Sequence, residues 1–485
     1  SIVTTPTAYG VGVLNSIKPA QAFGEELVTN GNFATDSDWT KEGAWTISGG
    51  VASVISSTND RLYQSISLEA DKKYLLSINV VSISAASVRF RFGSNGSAAN
   101  LPEITTPGIH TFTSKPLGGT SSVGIFAVSG TTATIDSVSV VEVTDADFDF
   151  TRTSSATRVN PDYLIETVAT DIPRLDYTNG TASILLEPAS TNLINYSQAI
   201  SNTPVKNGTF VDNAAISPDG TLNATKLTAT TTDPFFYQNI TFAAATYTSS
   251  IYVKGIGDSI GKEFRIAISS STTAPKLIVP SEWTRFEFTA TVGAGTASTG
   301  IEITDPAIVG DEVLVWGWQV EQQSYATSYI PSLSGSTVTR AAETLNNAGN
   351  SDLINSTEGV LYAEIAALAD DATNRRISLS DGTTANRMYI SYKNYTNQIR
   401  AEVISSSSSV FDATYSAIDI TVFSKIALKF KLNNFSLYID GVEVANDTSG
   451  AVPTGLKELA FDDGNNSNQF YGRCKTVAVF KEALS

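Results

Sequence analysis

One histidine, His110, and one cysteine, Cys474, occur in the 485 residues. That scarcity withholds the ligands of a three-histidine zinc site, a CxxC pair and any intrachain disulfide, and it leaves a thiol–imidazole dyad to a single meeting of the two. The side chains that remain for chemistry are aromatic, guanidinium, amide and carboxylate. Trp39, Trp45, Tyr63, Arg89 and Arg91 gather in the first quarter of the chain. Met388-Tyr-Ile-Ser-Tyr-Lys-Asn-Tyr395 alternates, which puts Tyr389 and Tyr395 on one face of a strand and Tyr392 on the other. Cross-strand packing and a binding platform both fit that pattern. Asp462-Asp463-Gly464-Asn465-Asn466 is rich in the oxygen that calcium takes, and equally rich in the residues any tight turn uses.

The elements that must carry these groups are strands. Nearly a quarter of the residues are Ser or Thr, which suit a pleated surface better than a helix. Short alternating runs such as Ser77-Ile-Asn-Val80 and Ile135-Asp-Ser-Val-Ser-Val140 are separated by Asn30-Gly31, Gly49-Gly50 and Asn95-Gly96, the signature of all-β sandwiches. Phe435 to Val444 is a hairpin whose Asp440-Gly441 supplies the positive φ angles of a type I′ turn. The 48 acidic against 31 basic residues, a net charge of −17, set up a field that repels nucleic acid and anionic membrane surfaces. No apolar run reaches membrane-spanning length, and the first residues lack the basic and apolar regions of a secretory signal, which argues against a secreted protein.

An internal repeat organises the chain: residues 200–340 replay the landmarks of 26–145 in order. Tyr63-Gln-Ser-Ile66 answers to Tyr237-Gln-Asn-Ile240, Tyr74 to Tyr247, Arg89-Phe-Arg-Phe92 to Glu263-Phe-Arg-Ile266, and Gly124-Ile125 to Gly300-Ile301. Pro107-Gly-Ile-His-Thr111 parallels Pro280-Ser-Glu-Trp-Thr284, so His110 stands where the second copy has Trp283, a packing position. The expected domains are an N-terminal docking arm (1–25), a first jelly-roll module (26–145), an ordered connector (146–199), a second jelly-roll module (200–340) and a third sandwich (341–485).

With these landmarks in place, resemblances can be stated. Leu27-Val-Thr-Asn-Gly-Asn-Phe33, Trp39, Trp45-Thr-Ile47 and Ile135-Asp-Ser-Val138 resemble the jelly-roll carbohydrate-binding modules of the galactose-binding-like group, and the second copy does so more loosely. Gly359-Val-Leu-Tyr-Ala-Glu364, the Asp440-Gly441 hairpin and the run from Phe470 to Leu484 resemble concanavalin A-like, laminin-G-type sandwiches. In the connector, Thr151-Arg-Thr-Ser-Ser-Ala-Thr-Arg-Val-Asn160, Ile172-Pro-Arg-Leu-Asp-Tyr177 and Leu185-Leu-Glu-Pro-Ala-Ser-Thr-Asn-Leu193 resemble a segment recurrent in bacteriophage structural proteins. Trp316-Gly-Trp-Gln-Val-Glu321, Ala326-Thr-Ser-Tyr-Ile-Pro331 and Val338-Thr-Arg340 usually travel with it.

The resemblances imply a non-enzymatic phage virion surface protein, a fibre, tail or head decoration component, that adheres to host surface glycans. Its arm would meet other virion proteins, and analogy with fibres suggests a homotrimer. Carbohydrate modules stack an aromatic ring on a pyranose and hydrogen-bond its hydroxyls, so Trp39, Trp45, Arg89, Arg91, Tyr389 and Tyr395 are the expected sugar contacts. The recurrence of Tyr63 as Tyr237 suggests that this tyrosine belongs to the core. No cofactor is required, but the resemblance places a structural calcium at Asp136, with oxygens near Asn30 and Asn32 as partners, and Asp462 and Asp463 offer a second candidate. Two other classes compete: a cement protein that only stabilises the particle, and a secreted polysaccharide-degrading enzyme. The latter would carry paired carboxylates on one strand face, as in E-x-D-x-x-E, and no such triplet occurs.

Overall fold

A computed structural model describes residues 2–3, 23–56, 58–69, 74–93, 99–114, 116, 122–143, 148–268, 275–303, 308–393, 395–416 and 418–483. It is all-β, as the alternation requires; among the described residues the helical segments are single 3₁₀ turns at Ile200–Asn202 and Gly257–Ser259. No helix of the described residues is long and apolar enough to cross a membrane. Contacts divide the chain into two units, one of Lys18–Ala146 and one of Asp147–Ser485 with Ser1–Ile17.

The first unit is a sandwich of two antiparallel sheets. One runs in the order Gly108–Ser114, Tyr74–Ser84, Thr132–Val143, Val51–Ile55, Thr46–Ser48, with Phe23–Glu26 added on Thr132–Val143; the other runs Thr40–Glu42, Asp60–Ser65, Ser122–Ala127, Val88–Gly93, Ala99–Asn100. Period-two patterning drives Leu62, Phe90, Phe92, Val123 and Ile125 from the second sheet against Leu76, Ile78, Val54 and Ile135 from the first.

Residues 200–340 repeat that topology strand for strand. Thr284–Val292, Ala245–Ile256, Glu312–Glu321, Leu222–Thr228 and Thr209–Ile216 form one sheet, and Val205–Asn207, Phe235–Phe242, Gly295–Ile303, Glu263–Ala267 and Leu277–Ile278 the other. The cross-strand register corrects the sequence alignment in one strand. Gly124 lies opposite both Tyr63 and Arg91, and Gly300 opposite Tyr237 and Ala267. Arg91 therefore matches Ala267, and Arg89 matches Arg265, a slip of two residues from the alignment of Arg89 with Glu263. A slip of two preserves which face each side chain occupies, so alternation cannot detect it. The same reading pairs His110, opposite Ile78, with Phe286, opposite Ile251, in place of Trp283. His110 is half-buried, with its ring nitrogen bonded to the Thr106 carbonyl at 2.9 Å.

The paired glutamines explain the Tyr-Gln recurrence. Gln64 points into the sandwich end, accepts the Thr29 N–H at 2.8 Å and donates to the Thr29 carbonyl at 2.8 Å. Gln238 accepts from Asn195 N–H at 3.0 Å and donates to the Leu193 carbonyl at 2.9 Å. Each clamps the chain entering its module by satisfying both groups of an incoming backbone.

The third sandwich places Ser408–Ser416, Gln398–Ser405, Arg387–Tyr392, Arg375–Ser380 and Glu458–Ala460 against a sheet whose order is Arg174–Asp176, Ser183–Leu186, Gly472–Phe480, Glu358–Ala367, Ser424–Lys431, Asn434–Ile439, Val442–Asp447. The first two strands of that sheet come from the connector, which thus belongs to the second unit. The hairpin turn has both expected positive φ angles, 50° at Asp440 and 85° at Gly441. Of the supposed docking arm, Ile2–Val3 pairs with Gly472–Phe480 of the same chain, and residues 4–22 lie outside the described residues.

Every motif of the phage-like resemblance converges on one buried ionic cluster. Arg152 donates to Glu343 at 2.7 Å, Arg174 to Glu343 at 2.8 Å and to Glu187 at 2.9 Å, and Arg340 to Glu187 at 2.6 Å. Glu321 accepts from Thr327 at 2.7 Å and Gln319 at 2.6 Å, and Thr327 also accepts from Arg340 at 3.2 Å. All six charged side chains are buried, and three guanidiniums balance three carboxylates, the condition under which buried charge is tolerable.

Candidate functional site

Alternation leaves the outward face of the Asp60–Ser65, Ser122–Ala127, Val88–Gly93 sheet with Arg61, Tyr63, Ser122, Gly124, Phe126, Arg89 and Arg91. Two cross-strand rows result: Tyr63, Gly124, Arg91 and, beside it, Arg61, Phe126, Arg89. Gly124 has no side chain, so the first row sinks into a hollow lined by Tyr63, Arg91, Arg61, Ser122 and Phe126. The guanidiniums of Arg89 and Arg91 lie 5.0 and 5.9 Å from the Phe126 ring centroid, and that of Arg61 lies 5.6 Å from the Tyr63 centroid. These contacts fix the cations beside the rings. Arg61 is paired with Glu42 at 2.6 Å and Arg89 more loosely with Glu103 at 3.5 Å. Among the described residues Arg91 has no ion pair, and its Nε is buried without a partner. Aromatic rings, hydrogen-bond donors and a shallow apolar floor are what a sugar ring needs from a protein surface.

The second module keeps the hollow and changes its lining. Tyr237, Gly300 and Ala267 form one row, and Phe235, Glu302 and Arg265 the other. Phe235 and Tyr237 stack at 4.8 Å with planes 21° apart. Burial, then Glu302 and Asp233, push the Tyr237 hydroxyl up to about 12, and burial followed by Asp233 raises the Glu302 carboxyl above its ordinary range.

Several expected sugar contacts fall elsewhere. Trp39 and Trp45 are 7% and 4% exposed and belong to the first core. Trp39 packs on Phe33 at 5.4 Å and donates to the Asn30 carbonyl at 3.1 Å, so neither indole offers a free face. Tyr389 is on the outward face and Tyr392 in the core, as alternation predicts, but Tyr389 is 1% exposed beneath the guanidiniums of Arg376, Arg387 and Arg400. Tyr395 is 58% exposed, lies beyond the end of strand Arg387–Tyr392 and meets Lys393 at 5.6 Å. Of the six, Arg89 and Arg91 share a face. Tyr63 joins them there, which corrects its assignment to the core. Phe126 and Gly124 were missed as site residues, although the recurrence of Gly124 as Gly300 was the available signal.

Of the calcium candidates, Asn30, Asn32, Asp462 and Asp463 take part in turn hydrogen bonds, whereas Asp136 sits within the strand Thr132–Val143. Asn30 donates to the carbonyls of Thr35 and Ser37 at 2.7 and 2.9 Å and accepts from Thr35 N–H; Asn32 accepts from Ala34 N–H at 3.4 Å, and Asp136 from Asn79 at 3.1 Å. Asp462 accepts from Gly464 N–H at 2.6 Å, while Asp463 accepts from Ser467 N–H and Asn468 and faces Arg376 and Arg387 at 3.6 and 3.5 Å. Among the described residues no three His, Cys, Asp or Glu side chains gather as a metal site.

No family model matches the chain, and no curated protein matches it. Solved structures with a distant likeness include mouse laminin α1 chain domains LG4-5 (10% identity, 51% of this chain and 88% of that chain, TM-score 0.22). The tandem CBM22-1–CBM22-2 domain of Xyn10C from Paenibacillus barcinonensis follows at 12% identity over 64% of this chain and 100% of that one, TM-score 0.21. Tandem CBM51 modules of the family 98 glycoside hydrolase from Streptococcus pneumoniae SP3-BS71 match at 9% identity over 62% and 97%, TM-score 0.21. Scores this low carry no assignment, and the fold and site rest on the chain's own geometry.

Proposed function

We propose that this chain is a non-catalytic glycan-binding protein whose primary sugar site is the hollow of Tyr63, Gly124, Arg91 and Phe126. The observation that supports it is the recurrence of a tyrosine beside a cross-strand glycine on the outward face of the same sheet in both modules. A pyranose laid over the Gly124 floor meets the Tyr63 ring on its apolar side, while Arg91 and Ser122 reach its hydroxyls. A single shallow contact of this kind is weak; two modules per chain, and repetition on one particle, raise the effective concentration. The expected test outcome is that full-length protein retains glycans on an array and that Tyr63→Ala loses that binding at unchanged melting temperature. Equal retention by Tyr63→Ala would overturn the site.

The setting we propose is a phage virion surface, with the chain acting as a fibre, tail or head decoration component. It is supported by the resemblance of the connector segments, and peptides of this chain in purified particles are the expected finding.

A further inference from the structure

The hollows of the two modules have diverged in charge. Arg61, Arg89 and Arg91 are the only arginines between residues 26 and 145, and all three project from one face of one sheet around Tyr63, Gly124 and Phe126. At the equivalent places the second module has Phe235, Arg265 and Ala267, and Glu302 replaces Phe126. Three cations in the first hollow thus become one cation and one carboxylate in the second.

We infer that the first hollow selects anionic glycans, those bearing carboxylate or sulfate groups, an assignment that rests on the sugar-site reading above. Arg91 is the anchor. It borders the Gly124 floor, and with no ion pair of its own among the described residues it can turn its planar fork to an anionic oxygen. Arg89, held only at 3.5 Å from Glu103, is the second donor, and Arg61, already closed on Glu42, frames the wall. At a net charge of −17 the general field of the chain repels polyanions, so attraction needs a local cationic surface, and this face supplies one. A carboxylate and a sulfate are both planar or tetrahedral arrays of acceptors on a sugar ring, and the guanidinium fork suits either.

The test uses the full-length chain with polygalacturonate as the carboxylate probe, dextran sulfate as the sulfate probe and dextran as the neutral one. Binding to at least one polyanion is expected, weakening as salt rises. Arg91→Ala should lower that affinity about tenfold, the scale of one charge-assisted hydrogen bond, and Arg91→Lys should restore part of it. The remote Lys457→Ala should leave it unchanged. If dextran alone binds and Tyr63→Ala abolishes it, the anionic preference is overturned while the sugar site stands. Polyanion binding that survives the double variant Arg89→Ala with Arg91→Ala also overturns the inference, and no binding to any of the three polymers overturns both readings. The melting temperature of each variant separates lost contact from lost fold.

Discussion

Gly124 and Gly300 stand at the same place on two faces, yet a methyl group would meet different neighbours at each. At Gly124 it would touch the Tyr63 Cβ at 3.2 Å, tight by only a few tenths of an ångström; at Gly300 it would lie 1.9 Å from the Phe236 carbonyl oxygen and 2.5 Å from the Tyr237 ring. Gly300→Ala is expected to destabilise its module by about 1–3 kcal/mol, the cost of overpacking against backbone. Gly124→Ala should cost less and act on glycan affinity through Tyr63. Thermal melts of the two single variants, alongside binding, check the contrast. At this scale the sequence was half legible. The Tyr-Gln and Gly-Ile recurrences marked the residues that form the site's wall and floor, but they pointed Tyr63 to the core and gave Gly124 no role, since a residue recurs whether it packs or binds. Trp39 and Trp45 lie between the turn pairs Asn30-Gly31 and Gly49-Gly50. The burial of Trp39 depends on Phe33 and on the Asn30 carbonyl, contacts with no sequence period.

The strands were legible because alternation and turns are local. Their partners were not. The connector's strand-like runs gave no hint that Ser183–Leu186 would pair with Gly472–Phe480, nor that six charged residues spread from Arg152 to Glu343 would meet. The ionic cluster has a testable electrostatic consequence. Burial pushes the Glu187 carboxyl up, but Arg340, Arg174 and the Ser328 hydroxyl together outweigh it and hold the group well below the ordinary carboxylate range. A depressed folded-state value means stability that is present above the unfolded-state value and lost as pH falls through the folded one. The second unit should therefore lose stability progressively in acid, below about pH 4, and Glu187→Gln should flatten that dependence while costing about 3–5 kcal/mol at neutral pH, because Arg174 and Arg340 are left as buried, underpaired charges. Urea denaturation of both proteins from pH 7 to pH 2 reads both effects. An unchanged acid slope in Glu187→Gln would sink this account.

The whole molecule has separate hydrophobic cores for the first unit and for the sandwiches of the second, and the second unit's sandwiches share the connector's ionic cluster. Calorimetry should resolve two transitions. Gln64→Ala, which removes the clamp on Thr29 and leaves its backbone groups unpaired at a cost of about 1–3 kcal/mol, should lower only the transition of Lys18–Ala146. Glu187→Gln should lower only the other. A single transition displaced by both variants would contradict this division.

The same cluster imposes a timetable on synthesis. Arg152 precedes Glu343 by 191 positions, and Glu187 precedes Arg340 by 153. At roughly 5–20 residues per second, a ribosome that has delivered Arg152 needs about 10–40 s more to deliver its partner. Throughout that interval the connector holds charges it cannot bury, and the strand Gly472–Phe480 on which it must finally pair emerges later still. The first module can close early, whereas the rest must wait for Gly472–Phe480, so a chain interrupted before that strand would leave the ribosome with one finished sandwich and an unlocked remainder.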